Sequence, residues 1–129
     1  MAKFGTVEVY EEMGKVLNDD DEWINKRGTK ISYSMVFDYG EPVDKAFYTR
    51  FESGRVTDVH ELDSRGEIEA DFVIAGSADV WRGVLTNTID PTVALTRGQL
   101  KVKGKMATLL KNMNAFKYVI EKMSQIPLD

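Results

Sequence analysis

The sequence predicts an α+β fold in which a five-stranded, largely antiparallel sheet is covered on one face by helices. Two observations lead to this prediction. Apolar and polar residues alternate through the middle of the chain, as in half-buried strands, and apolar residues recur at helical spacing near both ends. No repeat, low-complexity tract or proline-rich linker divides the 129 residues, so we predict one domain over residues 1–129.

The strands are predicted from period-two alternation. They fall at residues 31–39, 47–51, 55–61, 70–74 and 100–102. The first is the clearest, because every second side chain from Ile31 to Tyr39 is apolar. Ser53-Gly54 is typical of a tight hairpin turn between the second and third strands. One face of the resulting sheet is apolar and requires a cover of helices.

The helices are predicted from apolar spacing and from caps. They fall at residues 7–17, 78–85, 91–95 and 106–123. Ser77 is a suitable N-cap for the second helix, and Asp90-Pro91 supplies a cap followed by a first-turn proline for the third. The last segment is either one long helix or two helices that meet near residues 112–114.

The formal net charge of −4 is unevenly distributed. Residues 97–122 contain seven basic residues and one acid, whereas residues 1–96 contain ten basic residues and nineteen acids. We predict that four of these basic residues, on or near the fifth strand, form a patch for docking to a membrane or a lipid headgroup. They are Lys101, Lys103, Lys105 and Lys111. The alternative is that they are ordinary solvated lysines.

The usual signatures of catalysis are missing from the sequence. There is no cysteine and one histidine, His60, which cannot form a metal cluster alone. No nucleophile motif occurs, and Gly98–Lys105 lacks the spacing of a phosphate loop. The acidic cluster Asp19–Glu22 lacks the spacing of a calcium loop and is predicted to be solvated. We therefore expect no catalysis, no metal and no cofactor.

The cellular location is predicted from the first and last residues, which are compared with targeting signals, and from the length of the apolar runs. The start, Met1–Gly5, has no apolar signal region, and no apolar run approaches the roughly 20 residues that span a bilayer. We expect a cytoplasmic protein. The end, Pro127–Asp129, differs from the Ser-Lys-Leu peroxisomal address, so peroxisomal targeting is not expected.

Four consecutive segments in the second half of the chain indicate a family. They are ADFVIAGS (70–77), ADVWRGVLTN (78–87), DPTVALTRG (90–98) and QLKVKGKMATLL (99–110). The last is the most specific, with a basic alternating strand, a glycine and a methionine-led apolar helix. Together they resemble the sterol carrier protein 2 family of lipid-binding domains. The first half of the chain matches only in the order of its elements.

The resemblance implies that the sheet and helices enclose an apolar tunnel for a lipid. The candidate wall is a set of apolar side chains concentrated around the late helices, where methionines adapt to irregular ligands. Its residues are Trp81, Leu85, Leu95, Met106, Leu110, Met113, Phe116, Ile120 and Met123. For any one of these residues, ordinary core packing is the alternative interpretation.

Three functions remain open from the sequence. The first is a non-enzymatic carrier of a fatty acid, fatty acyl-CoA or sterol-like lipid, with transient contact to an anionic membrane. The second is an interaction or accessory module, whose apolar helix face forms a homodimer or presents a lipid to an enzyme. The third is an enzyme that uses acidic residues in the same cavity. No nucleic-acid partner is expected.

Overall fold

The computed structural model describes residues 2–62 and 69–128, and within them it confirms the α+β prediction. Five strands form one sheet in the order β3-β2-β1-β4-β5. They are β1 (Ser34–Tyr39), β2 (Lys45–Glu52), β3 (Arg55–Glu61), β4 (Phe72–Gly76) and β5 (Lys101–Gly104). The β1–β4 pair is parallel and the three other neighbouring pairs are antiparallel, so the sheet is mostly antiparallel.

The helices lie close to their predicted positions. They are α1 (Glu8–Asn18), α2 (Ala78–Leu85), α3 (Pro91–Thr96), α4 (Met106–Lys111) and α5 (Met113–Met123). Both predicted caps are present. Ser77 Oγ accepts from the backbone N–H of Val80 at 3.2 Å, and Asp90 Oδ1 accepts from Thr92 at 2.8 Å. None of these helices combines the length and apolarity that crossing a bilayer requires.

The last predicted helix is two helices that meet at Asn112. This residue has φ −104° and ψ 21°, outside the helical range, and its side-chain Nδ2 donates to the carbonyl oxygen of Thr108 at 2.9 Å. The side chain therefore competes with the backbone for a carbonyl of the preceding turn, as asparagine often does. One residue separates the end of α4 from the start of α5.

The register gives the sheet two different faces. Phe37 of β1 lies between Phe47 of β2 and Ile74 of β4, and all three are fully buried beneath the helices. On the opposite face, Lys101 and Lys103 of β5 pair with Ala75 and Val73. The two lysines therefore point away from the core, as the alternation of β5 predicts.

Aromatic side chains fill the space between α1 and the sheet. The Tyr10 ring stacks on Phe37 and Phe47, with centroids 4.8 and 5.2 Å away. Its hydroxyl shares a 2.7 Å hydrogen bond with the hydroxyl of Tyr39, and both residues are completely buried. This end of the core is therefore closed by close-packed rings, with its polar atoms paired.

A π-helical turn at Trp23–Arg27 is the main element that the sequence did not predict. The first strand is also shorter than predicted, because regular pairing begins at Ser34. Ile31 and Tyr33 precede it as an extended segment, in which the backbone N–H groups of Gly54 and Phe51 bond to their carbonyl oxygens. The alternation of apolar and polar residues predicts which side chains face the core, but it does not show where regular strand pairing begins.

Candidate functional site

An apolar cavity lies between the sheet and α5. It is lined from the sheet side by Ile31, Tyr33, Met35 and Phe51, from α5 by Ala115, Phe116 and Val119, and at one side by Trp23. Its volume is about 10 Å³, which is room for about one water molecule. The cavity as it stands is too small for a lipid, so the tunnel implied by the resemblance stays a prediction.

Trp23 is held in the cavity wall by a backbone partner. Its indole Nε1–H donates to the carbonyl oxygen of Gly54 at 2.6 Å, and its side chain is completely buried. Ser53 and Gly54 both have positive φ, 49° and 85°, as the two-residue hairpin turn between β2 and β3 requires. The predicted turn thus fixes the wall by presenting a carbonyl to the indole.

Asp20 connects the π-helical turn to α5. Its Oδ1 accepts from the backbone N–H of Glu22 at 3.0 Å and thereby caps the start of the turn. Its Oδ2 accepts from the Tyr118 hydroxyl at 2.6 Å and lies 3.5 Å from Lys122 Nζ. Because both of these partners belong to α5, one carboxylate joins two elements on either side of the cavity.

The Tyr118 ring of α5 is also the centre of a stack beside the cavity. It lies parallel to Trp23, with an interplanar angle of 5° and centroids 5.9 Å apart. The Arg27 guanidinium carbon lies 4.8 Å from the centroid of the Tyr118 ring, and Lys122 Nζ lies 5.4 Å from it. We call Asp20, Trp23, Arg27, Tyr118 and Lys122 the α5 clasp.

The pKa values around the cavity follow from this geometry. The hydrogen bond from Tyr118 is the main reason that the pKa of Asp20 lies below its ordinary value of 3.8. Loss of hydration, and then the bond to Asp20, raises the pKa of Tyr118 to about 12. Burial alone raises the pKa of Tyr33 to about 12. At neutral pH, Asp20 is therefore ionised and both tyrosines are protonated.

The buried hydroxyl pair beside α1 is also uncharged. Burial, followed by the proximity of Tyr39, raises the pKa of Tyr10 well above 10.0. Burial likewise raises the pKa of Tyr39. These hydroxyls satisfy each other, so they serve packing and present no free acid or base to a ligand.

The structure places the nine predicted wall residues in three environments. Trp81, Leu85, Phe116, Ile120 and Met123 are buried, Leu95 and Met113 are partly buried against the core, and Met106 and Leu110 are exposed. Of the nine, Phe116 lines the cavity described above. Contact of all nine residues with a ligand stays a prediction.

Trp81 lies in the aromatic part of the core. Its ring stacks on Tyr39 with centroids 5.3 Å apart, and its Nε1–H donates to the carbonyl oxygen of Asp38 at 2.9 Å. Met106 and Leu110 lie at the opposite extreme, since 41% and 55% of their surfaces are accessible. Their helical spacing predicts an inward-facing stripe, whereas Leu109 is the α4 residue that is fully buried.

The cavity residues that the sequence analysis did not assign to the wall come from separate elements. They are Trp23, Ile31, Tyr33, Met35, Phe51, Ala115 and Val119. Tyr33, Met35 and Phe51 belong to the alternating apolar face of the first two strands, opposite the last helix. That pattern is enough to place them in the interior, but only the pairing of elements shows that they face α5.

The single histidine has a local role. The His60 ring stacks on Tyr48 with centroids 4.8 Å apart, and its Nδ1 lies 3.2 Å from Asp58 Oδ1. Over residues 2–62 and 69–128, no three His, Cys, Asp or Glu side chains come together in a group that could hold a metal ion.

Comparison with known proteins identifies the family. A profile of the SCP-2 sterol transfer family matches residues 15–117, which is most of the chain. The chain belongs to the SCP-2 sterol transfer family. Membership confirms the resemblance found in the sequence and places this fold among lipid-binding domains. No curated protein matches the chain.

Solved structures of the SCP-2 fold agree in their overall architecture. A crystal structure of sterol carrier protein 2 has a TM-score of 0.85 at 23% identity, covering 97% of this chain and 100% of that one. A conserved hypothetical protein from Thermus thermophilus, possibly a sterol carrier protein, has a TM-score of 0.76 at 22% identity, covering 98% and 95%. The UbiJ-SCP2 ubiquinone synthesis protein has a TM-score of 0.63 at 15% identity, covering 95% and 93%. At these identities the likeness shows the SCP-2 fold.

Proposed function

We propose that the protein binds and transfers a hydrophobic ligand, such as a fatty acid, fatty acyl-CoA or sterol-like lipid, between the sheet and α5. The observation that carries the proposal is the cavity there, which apolar side chains line on both sides. Membership of a sterol transfer family supports it. We propose that all 129 residues form one lipid-binding domain.

Binding requires α5 to separate from the sheet. Phe116 and Val119 of α5 are nearly fully buried and hold the helix down by apolar contact. A lipid that enters beneath the helix replaces those contacts with its own methylene groups, so the free energy of opening is offset by the ligand. The polar atoms of the α5 clasp keep their partners until the helix moves.

The cavity is suited to holding a ligand without reacting with it. Its two polar side-chain groups are the Trp23 indole N–H, which is bonded to Gly54, and the Tyr33 hydroxyl. The pKa of Tyr33 is about 12, so the hydroxyl keeps its proton at neutral pH. Neither group is a general base, and the site is proposed to be non-catalytic.

Four exposed lysines are proposed to dock the carrier at its lipid source. They are Lys101, Lys103, Lys105 and Lys111. An anionic bilayer attracts each nearby lysine by about 1 kcal/mol, so several together orient the protein at the surface. The cytoplasmic face of a membrane is the proposed place of action.

Chain length provides the direct test of lipid binding. Burial of about ten methylene groups at roughly 0.8 kcal/mol each gives about 8 kcal/mol before association costs, equivalent to a micromolar dissociation constant. We expect palmitate to bind measurably in a calorimetric titration and hexanoate to bind hardly at all. Equal affinity for the two acids would contradict an enclosed apolar site.

The second candidate function is an accessory module that associates with protein. The exposed apolar side chains of Met106 and Leu110 favour it, since a second copy or an enzyme could cover them. Native mass spectrometry before and after organic extraction separates the two candidates. A carrier loses a lipid-sized mass, whereas an accessory module shows protein multimers and no extractable ligand.

A further inference from the structure

Helix α4 presents its apolar side to solvent. Three large hydrophobic residues are exposed over residues 2–62 and 69–128, and Met106 and Leu110 of this six-residue helix are two of them. They are four positions apart, so they lie one above the other on the same face. Leu109, at the edge of this face, is fully buried and anchors the helix to the core. Met106 and Leu110 therefore form an apolar strip on the solvent-facing side of α4.

Four lysines without an ion pair to any described carboxylate lie on or near α4. Lys105 immediately precedes α4 and Lys111 ends it, while Lys101 and Lys103 lie on β5 just before. In the described part of the chain, no carboxylate lies within 4.0 Å of any of these four amines. The sequence has no acid between Arg97 and Lys111. Over residues 2–62 and 69–128, the positive potential beside α4 is thus not neutralised by an ion pair.

The two basic side chains of α5, next along the chain, are paired. On α5, Lys117 lies 3.7 Å from Asp90 and Lys122 lies 3.5 Å from Asp20. The carboxylate that lines the groove beside Lys105 is that of Asp71, and its Oδ2 accepts hydrogen bonds from Ser34. With no ion pair to the described carboxylates, the lysines around α4 are placed to contact an anionic partner.

We propose that α4 is an interfacial helix that inserts Met106 and Leu110 into an anionic phospholipid bilayer while the surrounding lysines contact the headgroups. An apolar strip flanked by lysines has the chemistry of the boundary between acyl chains and phosphates. The face is only about 9 Å long and about 10 Å wide, which is far below the roughly 800 Å² per partner that a stable protein interface buries. Insertion of a short apolar strip into a bilayer does not require a contact area of that size.

The inference deepens the proposed function. The purpose of the membrane contact, which is to bring the protein to its lipid, rests on that function. Asn112 alone connects α4 to α5, which covers the apolar cavity. Insertion of α4 thus brings the helix that must move for ligand entry next to the source of the ligand. The contact itself is independent of ligand binding, so the two claims are testable separately.

The protein has no cysteine, so a single introduced thiol can report insertion in the full chain. Leu110→Cys is labelled with an environment-sensitive fluorophore, and Val93→Cys, on the short helix α3, is the control. Val93 is exposed to the same extent as Met106, 41%. With phosphatidylglycerol-containing vesicles, we expect the label at 110 to brighten and shift to the blue and the label at 93 to remain unchanged. Pure phosphatidylcholine should affect neither.

Three results overturn the proposal. One is a label at 110 that ignores anionic vesicles, and another is an equal response at both positions. The third is a response at 110 that depends on protein concentration without vesicles, which assigns the face to a second copy of the chain. Palmitate titration of the unmodified protein reports the proposed function alone. Failure to bind palmitate contradicts carriage of a fatty acid and leaves the vesicle result standing.

A second measurement avoids dependence on the label. Met106→Gln/Leu110→Gln should bind anionic vesicles at least about tenfold more weakly in co-sedimentation, because hydrocarbon transfer from water is lost. Val93→Gln should bind them like the unmodified protein. If the double variant keeps its vesicle affinity and its circular dichroism is unchanged, the lysines act alone and insertion is wrong.

Discussion

Asp20 acquires its role from residues far away in the sequence. It lies in a cluster of four acids whose composition predicts a solvated surface, yet its side chain is only 15% exposed. One oxygen caps the π-helical turn and the other accepts from Tyr118, which lies 98 positions later. Local composition describes the exposed neighbour Asp19 correctly, but it carries no information about a partner on α5.

The bond between Asp20 and Tyr118 predicts an acid-dependent stability. The folded state lowers the pKa of Asp20 from 3.8, mainly through Tyr118. A carboxyl with a depressed folded pKa stabilises the protein above its unfolded pKa, and this contribution is lost as the pH falls through the folded pKa. Asp20→Asn should lower the melting temperature at pH 7 and flatten its decline as the pH falls from about 5 to below 3.8.

The control for this prediction is Asp19→Asn, which removes the same charge from an exposed position. Its melting temperature should follow the unmodified protein across the pH range. At neutral pH the Asp20 substitution should cost about 1 kcal/mol of unfolding free energy, since an amide accepts more weakly than a carboxylate. Parallel acid profiles for both variants would show that Asp20 is not the coupled group.

Ala115 is the smallest side chain facing the cavity, and enlarging it should separate packing from ligand binding. Ala115→Leu adds three carbons to a space of about 10 Å³. We expect palmitate affinity to fall at least about tenfold and stability to fall by roughly 1–3 kcal/mol from overpacking. Titration and thermal denaturation measure the two effects.

Ala107→Leu supplies the comparison, because Ala107 is exposed on α4. It should leave the palmitate affinity in solution unchanged. If Ala115→Leu loses stability but binds palmitate normally, the cavity is ordinary core and the ligand binds elsewhere.

At the scale of elements, the sequence predicts what local chemistry determines. The caps at Ser77 and Asp90 and the turn at Ser53-Gly54 are each fixed by a few adjacent residues, and all three are confirmed. The π-helical turn was missed because 3.6-residue periodicity has no signal for it. The break at Asn112 was one of two alternatives, and a side-chain bond to Thr108 decides it.

From the contacts of the α5 clasp, we expect that removal of the Tyr118 hydroxyl will loosen the whole of α5. Tyr118→Phe retains the ring that stacks on Trp23 but loses the 2.6 Å bond to Asp20. We expect α5 amides to exchange faster with deuterium, while those of α2 are unaffected. Palmitate should enter and leave faster in stopped-flow measurements, because opening of α5 limits both steps.

Tyr48→Phe is the matched control, since Tyr48 lies on the opposite face of the sheet beside His60. It should change neither the exchange of α5 nor the ligand kinetics. Unchanged exchange in Tyr118→Phe would mean that apolar contacts alone hold the helix closed.

At the scale of the molecule, the sequence predicts which strands and helices form better than it predicts how they pair and pack. Alternation identifies the strands, but the pairing of β1 with β4, 37 positions apart at Met35 and Phe72, depends on the whole chain. The same limit applies to the site. Phe116 is assigned to the wall from its helix, whereas Trp23 and Phe51 reach the cavity only after separate elements have packed together.

The distribution of charge predicts salt-dependent transfer. Lys101, Lys103 and Lys105 replaced together by Gln should slow lipid transfer from anionic vesicles at low salt by up to roughly a hundredfold, at about 1 kcal/mol per lysine. The difference should shrink as salt screens the charges. Affinity for a water-dispersed neutral lipid should remain nearly intact.

The matched control replaces Lys3, Lys15 and Lys30 by Gln, which removes the same charge from the acidic part of the chain. Its transfer rate should be that of the unmodified protein. Equal rates for both triple variants at every salt concentration would make the basic patch a solvated face.

The positions of the two tryptophans make the protein its own optical reporter. Trp23 lines the cavity and contacts whatever enters it, whereas Trp81 is enclosed against Tyr39 and is not among the lining residues. A brominated acyl chain quenches an indole at short range, so a chain in the cavity described should extinguish the emission of Trp23 and spare that of Trp81. The emission that survives saturation then comes from one known residue. Quenching of both would instead favour the wall contact predicted for Trp81. A titration followed by intrinsic fluorescence would thus show where the chain lies as well as how tightly it binds.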